Sequence, residues 1–148
     1  MSFVGKVVVV VAAVGLTTGS VIGAGAANAA GLHGAIAFSA EDWTYGTSID
    51  AVSRDEAIAE ALTECGLGGA PDCVVLVDWS DGCGALVYTT SFTPKAVATG
   101  AGFNRSAALF GAYASLARLY PSAMLANVGS ADKSGAEVSK VICTAGRN

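Results

Sequence analysis

Two hexapeptides about fifty residues apart constrain the fold of this chain more than any other feature. They are Gly34-Ala-Ile-Ala-Phe-Ser39 and Gly84-Ala-Leu-Val-Tyr-Thr89. Each alternates small and large apolar positions at the period of a half-buried strand. The correspondence continues into Ser53-Arg54 and Asn104-Arg105, where an N-cap residue opens a helical pattern in each half. Ile58, Ala61, Leu62 and Cys65 then align with Leu109, Ala112, Tyr113 and Leu116, which places each set on one helix face.

Apolar strands are predicted before each helix, over residues 43–49 and 95–103, and after each helix, over 73–79 and 123–128. Each half therefore reads strand, strand, helix, strand, over about 34–83 and 84–144. Asp81-Gly82 predicts a tight hairpin turn joining the halves, and residues 138–144 a closing strand. The expected fold class is α+β: two such repeats forming a mostly antiparallel sheet, with two helices on one face and the other face wet. Ser53 with Glu56 forms a capping box at the first helix, and Gly66 is the expected left-handed residue at its end. The second helix must stop before Pro121.

Four cysteines, Cys65, Cys73, Cys83 and Cys143, admit three pairings. Cys65 with Cys73 is preferred, because they flank the loop 66–72 and would tie a helix end to a strand start; Cys83 then falls to Cys143. A zinc site has no close Cys-x-x-Cys to build on and a single histidine, so no metal is expected.

Residues 1–29 read as a secretory leader: Lys6, an apolar run, then Ala27-Asn28-Ala29. Residues 30–148 are then one exported domain, secreted or held in the cell envelope, with no stable membrane span once the leader is removed. An uncleaved anchor is the rival reading of the same segment. Without Lys6, seven basic residues face twelve acidic ones, about −5 at neutral pH. That dispersed acidic balance excludes nucleic acid as a partner, since binding it needs clustered Lys and Arg.

The hexapeptide Gly34 to Ser39, the Ser53-Arg54 helix ending at Cys65-Gly66, Cys73 with its valine-rich strand, and Asp81-Gly-Cys-Gly-Ala-Leu86 together resemble the domain of unknown function 4189. That family is common in secreted actinobacterial proteins, mycobacterial ones included. The resemblance implies export, disulfides and a small domain, with no established catalytic residues. It departs from the family at Thr44-Tyr45-Gly46, where a Trp-rich stretch is frequent.

No catalytic constellation stands out, and no cofactor is expected. The single histidine, His33, reads as a surface residue near the mature terminus, with a base or terminal metal ligand as its functional rival. Glu60 and Glu64 read as a solvated helix face rather than a carboxylate pair. Asp72, Asp78 and Asp81 could offer oxygen to Ca²⁺, but turn chemistry accounts for Asp81-Gly82. Gly100-Ala-Gly102 only faintly resembles a dinucleotide loop. Asn104-Arg105-Ser106 fits a glycosylation sequon, but Asn104 is better used as a helix cap.

The aromatic residues Trp43, Tyr45 and Trp79, with Asp81 and the loop 66–72, are the candidate binding surface, although for the rings themselves core packing is the preferred reading. The expectation is a monomeric, non-enzymatic module that binds a protein, as an inhibitor or host-facing factor would, or a cell-wall glycan. The alternative is a small cell-wall hydrolase using His33 or Asp78.

Overall fold

A computed structural model describes residues 31–91 and 94–147. The expected leader lies outside the described residues. Among those described, no helix is long and apolar enough to cross a membrane.

The elements run β1 (His33–Ser39), β2 (Thr44–Ala51), α1 (Arg54–Gly66), β3 (Val74–Ser80), β4 (Cys83–Thr89), β5 (Val97–Gly102), α2 (Arg105–Leu116), a 3-10 segment (Pro121–Val128), the short α3 (Ala131–Ser134) and β6 (Ala136–Cys143). The class is α+β, antiparallel and disulfide-stabilised. The strands divide into two three-stranded sheets, ordered β2-β1-β3 and β5-β4-β6. Both sheets thus centre on a hexapeptide strand.

The alternation within those hexapeptides explains the layering. Ala35 and Ala37 pack against Ala57, Ala61 and Cys65 of α1, whereas Ile36 and Phe38 turn the other way to meet Trp79 and Leu86. Likewise Ala85 and Val87 pack on Ala108, Ala112 and Leu116 of α2. The small side of each strand admits a helix, and the large side faces the other sheet. The helices therefore lie on opposite outer faces, one per sheet, rather than sharing a face. β1 and β4 are covered on both sides, with no wet face.

Glycine permits the close helix approach at both sheets. A Cβ at Gly46 would overlap the α1 backbone at Ala61 and Cys65, and one at Gly100 would overlap α2 at Ala108 and Ala112. Gly100 is thus a packing residue, not part of a phosphate loop. Glu60 and Glu64 lie on the exposed helix face, as expected, and there they also accept hydrogen bonds from β2. Glu60 accepts from the Ser48 hydroxyl at 2.5 Å, and Glu64 accepts from the Thr47 N–H and hydroxyl. Together they cover the outer edge of β2, where an unpaired N–H would otherwise invite another strand.

The helix caps follow local chemistry. Ser53 accepts from the Glu56 N–H at 3.2 Å, while the Glu56 carboxylate reaches back to the Val52 N–H at 3.1 Å. Asn104 accepts from the Ala107 N–H at 2.9 Å. Gly66 does not supply the left-handed turn: it is the last helical residue, the cap Leu67 is right-handed, and Gly69 carries the positive φ of 90°.

Two further expectations change. Asp81-Gly82 makes no hairpin, because β3 and β4 belong to different sheets and the link carries the chain from one to the other. The predicted strand over 123–128 is instead the 3-10 segment, with Pro121 in its first turn and Gly129 closing it at φ 82°. Its apolar residues run together without the alternation of a strand. The partner of β4 is β6, which matches the expected closing strand and pairs Cys83 with Cys143 directly across the ladder.

Both preferred disulfides are formed, Cys65–Cys73 and Cys83–Cys143. The β1–β2 pairing shifts register between His33 and Ala35, and each sheet also carries an irregularity in the pairing of its first and last strands. In the first it falls between Ile36 and Ala37, and in the second between Leu86 and Val87. These are the same two places in the hexapeptides.

Candidate functional site

Between the two sheets, at the Ser39 end of β1, lies a cleft of about 250 Å³. Phe38 of β1, Tyr45 of β2 and Trp43 from the intervening turn wall it on one side; Leu86 and Tyr88 of β4, Val97 of β5 and Ser139 of β6 wall it on the other. Ser139 is the residue skipped by the β6 register, where Leu86 faces Lys140 and Val87 faces Val138. Bulges commonly re-aim a side chain beside a site.

The turn holding Trp43 is built around Asp72. The Ser39 hydroxyl donates to one Asp72 oxygen at 2.5 Å, and the N–H groups of Ala40 and Glu41 donate to the other at 3.0 Å. Asp72 immediately precedes Cys73, whose bond to Cys65 ties this strand start to α1. Trp43 adopts φ 56°, a region that costs a bulky non-glycine residue of order 1–3 kcal/mol. Its ring stands edge-on to Phe38, centroids 5.2 Å apart and planes at 84°. The Lys95 ammonium lies 5.8 Å from the Trp43 centroid. Trp43 and Tyr45 remain more than a third exposed.

Across the cleft, Tyr88 donates its hydroxyl to Glu137 at 2.9 Å. That bond to a carboxylate, with its charge, pushes the Tyr88 phenol up from its ordinary range. Donation by the Ser39 hydroxyl, then by the Glu41 N–H, holds the Asp72 carboxyl below the usual range. Its native bonds therefore stabilise the turn above the ordinary carboxylate range and are lost as pH falls through the lower, folded value. We expect acidification past the ordinary carboxylate range, through that lowered value, to move the Trp43 indole resonance in the wild type. In Asp72→Asn the resonance should already be displaced at neutral pH and respond little to acid. A wild-type indole that stays put through acidification would show that Asp72 does not hold the turn.

The structure separates the other sequence-predicted residues. Trp79 is 6% exposed between the sheets, which removes it from direct contact with any partner. Asp81 accepts from the Leu32 N–H at 3.1 Å and returns its own N–H to the Leu32 carbonyl at 2.8 Å. With φ 46°, it fixes the chain leading into β1, at the end away from Trp43. The loop 66–72 contributes through Asp72, as a support for the turn.

The three aspartates considered for calcium are engaged apart: Asp72 in the turn, Asp81 at Leu32, and Asp78 with Arg54. Arg54 grips Asp78 at 2.7 and 2.8 Å, and this bond draws the Asp78 carboxyl below its ordinary range. His33 pairs with Ser80 across the ladder, and after the bond to Arg54 its charge also contributes to lowering the Asp78 carboxyl.

Sequence reasoning missed Phe38, Leu86, Tyr88, Val97, Ser139 and Lys95. One signal was present: Phe38 and Tyr88 hold the same fifth place in the two hexapeptides. Comparison with known families finds that a model described as a domain of unknown function (DUF4189) matches residues 33–138. Neither curated proteins nor solved structures yield a match to the chain.

Proposed function

The chain belongs to the DUF4189 family, and from that premise we propose that it is an exported, non-catalytic binding module whose contact surface is the aromatic cleft. The observation that carries this reading is Trp43: a large ring kept at a costly φ, exposed, at the mouth of an aromatic-walled cavity. Strain of this kind persists where the surrounding structure enforces it, and it clusters at ligand clamps. Asp72 and the Cys65–Cys73 bond hold the turn before any partner arrives, which lowers the ordering cost of docking.

The proposed partner is a protein or cell-wall component met outside an actinobacterial cell, with the domain acting as a monomer. The leader-like segment and the two disulfides favour that setting. We also read the two halves as copies of one strand-strand-helix-strand unit, given their shared strand order and matching ladder irregularities.

Replacing Trp43 and Tyr45 together with alanine should abolish retention on a matrix of cell-wall or secreted proteins, with the circular dichroism spectrum unchanged. Undiminished retention by a folded double variant would remove the cleft as the contact surface.

A further inference from the structure

We propose that the cleft is a binding site for an organic ammonium ion with apolar substituents, of the trimethylammonium type. This deepens the reading of the cleft as the contact surface and rests on it. Four aromatic rings, Phe38, Trp43, Tyr45 and Tyr88, line one small cavity. Phe38 and Trp43 meet nearly at right angles and so form two walls of a corner. A sugar ring is better served by a flat exposed platform with many hydrogen-bonding groups beside it. Here Ser139 is the lining residue that is neither aromatic nor aliphatic.

Ring faces carry negative potential, and a cation within about 6 Å of a centroid is attracted to them. Lys95 already places an ammonium 5.8 Å from the Trp43 centroid, so the ring is accessible to that interaction in this fold. The charges near the rings are mixed, with the Lys95 ammonium at Trp43 and carboxylates also close by in space or sequence. Glu137 is bonded to Tyr88, and Glu41 and Asp42 precede Trp43 in its turn.

An anion would meet ring faces and these carboxylates together. A bare ammonium is strongly hydrated, whereas methyl groups bring both apolar contact and a weakly hydrated charge to the four rings. The volume suits a head group rather than a chain of sugars.

The test uses the oxidised full chain, three soluble probes and two kinds of vesicle. Tetramethylammonium and choline should shift the Trp43 indole resonance saturably and leave that of buried Trp79 in place. The neutral isostere 3,3-dimethyl-1-butanol should bind about tenfold more weakly, because only the charge differs. Tyr45→Leu should weaken choline binding by a similar factor, and Tyr45→Phe should retain it. Co-sedimentation with phosphatidylcholine vesicles and not phosphatidylglycerol vesicles would assign a lipid head group as the source; choline binding without co-sedimentation would assign a free ion.

Equal binding of the neutral isostere, or an unmoved Trp43 resonance at high millimolar tetramethylammonium, would overturn the proposal. If Trp43 and Tyr45 still governed retention on wall or secreted fractions in that case, the ligand class alone would fall. Loss of both would bring down the cleft as a contact surface as well.

Discussion

Replacing Trp79 with alanine is expected to destabilise the domain by about 3–5 kcal/mol, enough to unfold much of it near physiological temperature. The indole is 6% exposed and shares a cluster with Ile36, Phe38 and Leu86, the residues that join the two sheets. Its ring lies so close to both hexapeptides that a Cβ at Gly34 or Gly84 would overlap it. The same first glycine in both hexapeptides is thus explained by one ring lying across the two central strands. The buried Nε1–H has no hydrogen-bond partner among the described residues. Trp79→Phe removes that unpaired donor while keeping an aromatic filler, so it should retain a large part of the stability lost in Trp79→Ala. Urea denaturation of the two variants measures the difference. An alanine variant within about 1 kcal/mol of the wild type would mean that the sheets do not depend on this ring.

Removing the two disulfides should separate stability from function. The Cys83–Cys143 bond spans 60 residues and the Cys65–Cys73 bond spans 8. On the chain-entropy account, losing the first costs about 4 kcal/mol and losing the second about 2.5. Paired alanine substitutions followed by urea denaturation should give that ranking. Retention on the partner matrix should give the reverse, because Cys73 adjoins Asp72, which holds the Trp43 turn. The Trp43 turn and the C-terminal strand are thereby assigned to different covalent ties. A Cys65→Ala, Cys73→Ala chain that binds as well as the wild type would break the connection between that disulfide and Trp43.

The parts of this fold that were readable in advance are those set by neighbours in the chain. Ser53 and Asn104 cap their helices because the groups they accept from lie three residues on. The hexapeptides declared themselves as strands by their period. They did not declare their surroundings, because Gly34 to Ser39 alternates small with large rather than polar with apolar. Both of its faces are buried, the small one by a helix and the large one by a second sheet.

The cleft was half visible for the same reason. Trp43 and Tyr45 are conspicuous in the sequence, but Tyr88, Val97 and Ser139 join them only when the sheets stack. Asp72 is about thirty residues from the turn it holds, so its partners could not be read from spacing. The segment 121–128 misled because a short apolar run suits a strand and a helical turn alike.

The order of the cysteine pairs has a bearing on how the molecule is made. First joins second and third joins fourth, and the first pair closes within a half whose three strands all precede Cys83. A chain that emerges N-terminus first into an oxidising compartment can seal Cys65 to Cys73 while no other thiol is present. The next cysteine then has a single partner to wait for. Native pairing can thus be reached by sequential oxidation alone, without the thiol–disulfide reshuffling that interleaved pairs require.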